Sequence, residues 1–182
     1  MSHVLVPLAE GFEELEAITI TDLLVRAKIK VTTAGLENGS VKASRGATLI
    51  PMENIENLLN NTFDMIVLPG GLPGANYLRD SQAVQSIIKN HAGKNKYIAA
   101  ICAAPRALAQ AGLLKNKTVT CYPGSLDGVN LPNTKIKNSV VEIDGNIITS
   151  RGPGTAMDFA LTLIELLEGR EVRAEVEKGL AR

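Results

Sequence analysis

The sequence predicts an α/β fold, a mostly parallel sheet covered by helices on both faces, which makes a three-layer sandwich. Three observations carry this. Short apolar, β-branched runs alternate with longer amphipathic segments along the chain. Several of the short runs are apolar at every position, as strands buried on both faces must be. The 182 residues contain no repeat, low-complexity tract or linker, so 1–182 read as a single domain.

In chain order, strands are expected over residues 4–9, 30–34, 65–68, 97–102, 119–121 and 146–150. Helices are expected over 13–27, 83–92, 105–111 and 155–167. Residues 47–52 and 140–143 read as shorter strands, and Asp144-Gly145 is a tight-hairpin signal joining 140–143 to 146–150. Thr155 and Asp158 have the spacing of a capping box. The polar stretch 124–138 is the most loop-like. In open parallel sheets, ligands bind beyond the C-terminal strand ends. The places to inspect are therefore Glu10-Gly11, Pro69-Gly70-Gly71, Cys102-Ala103-Ala104 and Ser150-Arg151-Gly152.

Composition narrows the function classes. Lys+Arg and Asp+Glu both number 19, so no net positive charge draws the chain to nucleic acid or an anionic membrane. Without Trp, and with three Phe and three Tyr, it offers few platforms for stacking bases. No apolar run approaches a membrane span, and residues 1–9 do not read as a signal peptide. A cytoplasmic location is expected, where two cysteines stay as thiols. Their spacing does not suggest a metal site, and no cofactor motif is present.

The chemistry concentrates at Cys102. An apolar strand ends there and an Ala/Leu-rich helix follows at once, with Pro105 suited to its first turn. This is the logic of a nucleophile elbow. A helix N-terminus just past the sulfur is expected to favour the thiolate, and the following amides could hold an oxyanion. A buried core cysteine fits the local pattern equally well. Cys121 is the internal control: it also ends a strand, but Tyr122-Pro123-Gly124 follows.

Glu13 and Glu14 suit the positive end of a helix dipole. Glu16 differs, because it shares a face with Ile20, Leu23, Leu24 and Ala27. A carboxyl on that stripe should be buried, carry a raised pKa and stay protonated. It could then donate to a sulfur or shuttle a proton. Leu15, Ile18 and Val25 form a second apolar stripe, suited to a second subunit. Neither His3 nor His91 is placed near Cys102, which disfavours a cysteine–histidine dyad.

Four motifs in order extend this reading: Gly11-Phe12-Glu13-Glu14-Leu15-Glu16, Val67-Leu68-Pro69-Gly70-Gly71, Ala99-Ala100-Ile101-Cys102-Ala103, and Thr149-Ser150-Arg151-Gly152-Pro153-Gly154-Thr155. Through them the chain closely resembles the DJ-one/YajL-like branch of the ThiJ/PfpI superfamily over nearly its whole length. The resemblance implies a flavodoxin-like sandwich and a homodimer. It implies that Cys102 is the oxidation-sensitive nucleophile and Glu16 its protonated partner. Gly70, Gly71 and Ala103 would shape the pocket through their backbones, and Arg26 and Arg45 would line it near the dimer interface. Where many relatives carry a His, this chain has Tyr122, and the family's Gly after the elbow is Ala104, whose methyl is expected to narrow the site. The implied activity is cofactor-independent conversion of small 2-oxoaldehydes such as methylglyoxal, and deglycation is also implied. The alternative is a redox sensor or chaperone working through Cys102 oxidation. A cysteine peptidase is a weaker reading, because it needs a histidine base.

Overall fold

The computed structural model describes residues 1–182. The chain runs β1 (His3–Leu8), α1 (Glu14–Arg26), β2 (Lys30–Gly35), β3 (Val41–Lys42), β4 (Thr48–Leu49), β5 (Glu53–Asn54) and β6 (Met65–Leu68). It continues through α2 (Gly74–Asp80), α3 (Gln82–Gly93), β7 (Tyr97–Ile101), α4 (Pro105–Gln110), β8 (Thr118–Thr120) and β9 (Lys135–Lys137). It closes with β10 (Val141–Asp144), β11 (Ile147–Ser150), α5 (Ala156–Glu168) and α6 (Arg170–Gly179).

Seven strands form the main sheet in the order β10-β11-β7-β6-β1-β2-β5. Every pairing is parallel except β10 with β11. The all-apolar runs explain this. β6 is buried at all four positions and β7 at all but its first, so both faces need cover. Alternate residues feed two apolar clusters. Val4, Val6, Met65, Val67, Ala99 and Ile101 pack under α1 and α5. Leu5, Ile66, Leu68, Ile98 and Ala100 pack with Val84, Ile87, Ala107 and Leu108 of α3 and α4 on the other face. The two clusters hold 27 and 23 buried residues, so neither face is left open.

Several details differ from the sequence reading. The expected strand at 119–121 lies outside the main sheet, where β8 pairs in parallel with β9, inside the stretch read as loop. The 47–52 strand shrinks to β4, because Pro51 cannot extend a ladder; β4 pairs antiparallel with β3. The β10–β11 hairpin turns one residue later than Asp144-Gly145. Asp144 pairs with Ile147, which leaves Gly145-Asn146 as the loop with φ +65° at Gly145. Thr155 does not cap α5 with its side chain; its Oγ1 instead accepts from Gly152 N at 3.1 Å and meets Ser150 Oγ at 2.7 Å. Two helices are absent from the expected set, the short α2 and the charged α6, although α6 is amphipathic, with Val172 and Val176 one turn apart. No helix is long and apolar enough to cross a membrane.

Candidate active site

The C-terminal ends of β7, β6 and β1 converge on one crevice. β7 ends at Ile101, and Cys102 follows with φ +63°. The other non-glycine residues with left-handed φ, Lys28, Asn95, Asn116, Asn133 and Ala181, are all exposed; Cys102 is 7 % exposed. Left-handed backbone costs a residue with a Cβ about 1–2 kcal/mol. Three bonds hold it in place. Cys102 N donates to Ser150 O at 3.0 Å, and its carbonyl accepts from Tyr122 N at 2.8 Å and from Ser125 Oγ at 3.4 Å. Strain over-determined by its surroundings marks functional sites.

Glu16 reaches the same crevice from α1 and is fully buried. Its Oε2 accepts from Gly70 N at 2.7 Å, while Oε1 has no hydrogen-bond partner. Gly70 is the fixed point between acid and thiol. A methyl group there would lie 2.6 Å from Cys102 Cβ and 2.8 Å from Glu16 Oε2, so only glycine fits. Its carbonyl also accepts from Glu13 N at 2.9 Å, tying the start of α1 to the end of β6. Gly71 adopts φ +89° against the Glu13 and Gly11 backbones.

Burial raises the Glu16 pKa from 4.5 to about 7, opposed by the Gly70 amide and the Cys102 thiol; the Glu13 charge adds to the rise. Both forms of the acid are therefore populated at neutral pH. The thiol is a correction to the expected low-pKa cysteine. Burial first, then the Glu16 charge, push Cys102 up to about 12, against the Gly71 and Ala103 amides facing the sulfur. The six residues of α4 begin without a side-chain cap and do not outweigh desolvation. Protonating Glu16 removes the opposing charge, so thiol and acid titrate as one unit.

The remaining expected residues divide. Gly70, Gly71 and Ala103 surround Cys102 and Glu16, but the Gly70 amide serves Glu16, leaving those of Gly71 and Ala103 for the sulfur. Tyr122 sits beside Cys102 through its backbone, while its half-exposed ring lies over Gly152. Arg26 is ten residues beyond Glu16, about 15 Å along the helix. Within one chain it pairs with Asp22 at 2.7 Å and borders a hollow with Val172 and Val176 instead of the thiol. Arg45 is exposed, its amide held by Glu14. Ala104 does not narrow the crevice, because its methyl is buried in the cluster on the opposite face. His3 and His91 both pack around Phe63, away from the Cys102 end of the sheet.

The helix dipole alone does not account for Glu13 and Glu14. Glu13 is the N-cap of α1, accepting from Glu16 N at 2.8 Å. Glu14 gathers the Arg45 amide at 3.0 Å, the Ala47 amide at 3.4 Å and the Ser44 hydroxyl at 3.3 Å, fixing the loop between β3 and β4. The capping offset from Glu13 to Glu16 was visible in the sequence; the Glu14 contacts, some thirty residues distant, were not.

The sequence and the fold have counterparts among known proteins. The DJ-1/PfpI family model matches residues 2–166. The chain belongs to the DJ-1/PfpI family. This DJ-1/PfpI chain is 44 % identical over 177 residues to Protein dj-1beta of Drosophila melanogaster, covering 97 % of this chain and 95 % of that protein. The crystal structure of Drosophila DJ-1beta superposes with a TM-score of 0.95, at 43 % identity, covering 100 % and 98 % of the two chains. The oxidised DJ-1 of Toxoplasma gondii gives a TM-score of 0.94 at 37 % identity, covering 100 % and 98 %. A Caenorhabditis elegans relative named glutathione-independent glyoxalase DJR-1.2 is 37 % identical over 171 residues, covering 94 % of this chain and 91 % of its own.

Proposed function

We propose that this chain converts small 2-oxoaldehydes, methylglyoxal among them, to 2-hydroxy acids through Cys102 and Glu16 without a cofactor. The observation that carries the reading is a buried carboxyl with a free oxygen, coupled to the one buried cysteine held in left-handed backbone. The C. elegans relative named as a glyoxalase supports the reaction class.

The Cys102 sulfur adds to the aldehyde carbon as its proton passes through Glu16 to the aldehyde oxygen, giving a hemithioacetal. The Glu16 carboxylate then removes the C1 proton, forming an enediolate with its charge on the C2 oxygen. Returning that proton to C2, while the C1 hydroxyl proton passes to the C2 oxygen, leaves a thioester of the 2-hydroxy acid. Water hydrolyses the thioester, releasing lactate from methylglyoxal and restoring the thiol. The net change is addition of one water, with no external oxidant or reductant. A carboxyl with a pKa near 7 suits both the donating and the accepting step. The Gly71 and Ala103 amides facing the sulfur support the reading, because they would stabilise charge there, and Tyr122 stands beside them through its backbone. Purified protein given methylglyoxal should form lactate. Lactate formation that survives in both Cys102→Ser and Glu16→Ala overturns this mechanism.

A second reading, oxidation sensing at the same sulfur, draws support from the oxidised Toxoplasma relative. A sulfinate at Cys102 would accept from a protonated Glu16. Deglycation would use the same thiol and acid on a glycated adduct. The partner we propose, beyond the small aldehyde, is a second copy of the chain. Leu15, Ile18 and Val25 on α1 are all exposed, as the second stripe requires. Ile18→Asp should shift a dimer to monomer in analytical ultracentrifugation; an unchanged mass overturns that assignment. Free thiols at both cysteines suit the cytoplasm, and we take 1–182 as one folding unit.

A further inference from the structure

Arg106 presents an arrangement that the proposed chemistry does not use. It is partly buried, lacks a carboxylate partner, and keeps its Nε buried without a hydrogen bond. Its forked nitrogens reach two neutral acceptors instead. Nη1 donates to Asn76 Oδ1 on α2, and Nη2 donates to Ser125 O at 3.0 Å. Ser125 closes a turn in which its amide donates to Tyr122 O at 2.9 Å. That turn supplies two of the donors to Cys102 O, the Tyr122 amide and the Ser125 hydroxyl.

We propose that Arg106 is a positioning residue for Cys102, bracing the Tyr122–Ser125 turn so that its donors grip the Cys102 carbonyl. The physical link runs through one peptide group. The Cys102 carbonyl belongs to the same amide plane as the Ala103 N–H, which faces the sulfur. Donors on the carbonyl polarise that amide and strengthen its N–H as a donor. They also hold the left-handed φ that aims the sulfur at Gly71 and Ala103. A guanidinium suits the bracing because its planar fork reaches both α2 and the turn at once, which a lysine cannot do.

The inference rests on Cys102 being the reactive thiol, so its test avoids aldehyde turnover. Iodoacetamide labelling, read by peptide mass across pH, follows Cys102 and Cys121 separately. Glu16 is the charged group acting on the Cys102 sulfur and is left unchanged in every variant. Arg106→Met keeps the apolar stem and removes the fork. We expect Cys102 labelling at pH 7 to slow about three- to ten-fold and its pH midpoint to rise by about half a unit, with Cys121 still protected. Arg106→Lys should recover part of the rate. Ser125→Ala and Asn76→Ala, which leave the guanidinium in place, should each give a smaller shift of the same sign. An unshifted midpoint in all the variants overturns the proposal, and so does faster labelling of both cysteines, which reports a loosened fold. A wild-type Cys102 inert to iodoacetamide removes the reactive-thiol reading and this inference with it. Normal labelling with no lactate formation leaves the inference standing while the aldehyde mechanism fails.

Discussion

Cys102 and Cys121 are the same residue type in nearly the same local position, each buried, unpaired and immediately after a parallel strand. Their surroundings differ in kind. β7 lies inside the seven-stranded sheet, so Cys102 meets the ends of β6 and α1 and gains Gly70, Gly71 and Glu16. β8 lies in a two-stranded sheet to one side, so Cys121 meets the Ser125 turn, Leu126 and the apolar cluster of α3 and α4, and its nearby acid is the exposed Asp127. Burial raises both thiols, so a perturbed pKa does not by itself mark the functional one. What distinguishes Cys102 is left-handed backbone together with a buried acid whose Oε1 is left unpaired.

The largest effect should come from erasing the gap between thiol and acid. Gly70→Ala places a methyl 2.6 Å from Cys102 Cβ and 3.0 Å from the Ile101 carbonyl oxygen, neither of which can swing away. It should destabilise the chain by about 3 kcal/mol in urea melts. It should also reduce Cys102 labelling more than ten-fold while Cys121, across the sheet, behaves as before. Equal loss at both cysteines would show that Gly70 serves general packing and that the two thiols do not differ in kind.

The next effect is a pH dependence specific to the Cys102 end. Glu16 titrates at about 7 when folded and near 4.5 when unfolded. Between those values the folded chain holds the extra proton, so stability falls as pH rises from about 4.5 to about 7, then levels off. The full drop is about 3 kcal/mol as an upper bound. In Glu16→Gln that slope should vanish, leaving the variant more stable than the parent at pH 8. Urea melts at pH 5 and pH 8 measure it; a slope unchanged in the variant would mean Glu16 is ionised throughout.

Oxidation offers a third, smaller contrast. Mild peroxide should add two oxygens at Cys102, read by peptide mass, and leave Cys121 reduced. Preferential modification of Cys121 would reverse the ranking of the two sites.

How much of this could be read beforehand follows from the range of the interactions. The parallel core was legible because β6 and β7 are apolar on both faces and helix periodicity is local. Glu16 was legible because one acid interrupts an otherwise apolar stripe. The raised thiol was not, since the elbow motif displays its helix but hides the depth of burial and the charge delivered from α1. The expected helix over 13–27 already separated Arg26 from Glu16 by its length, whereas nothing in the sequence showed that Ala104 faces the far cluster. The displaced β8 and the Arg106 brace depend on contacts between segments that carry no local pattern.

Cys121→Ala gives the smallest effect and the sharpest control. The thiol is a small apolar filler between Leu126 and the β8 end, so its loss should cost about 1 kcal/mol. The Ser125 hydroxyl lies beside it and also donates to Cys102 O, so the substitution frees that hydroxyl for the carbonyl without cutting either Arg106 bond. Cys102 labelling should therefore change less than about two-fold, and its pH midpoint should stay in place. A large change would mean that the two thiols communicate through Ser125. Cys121 would then be part of the machinery around Cys102 instead of its bystander.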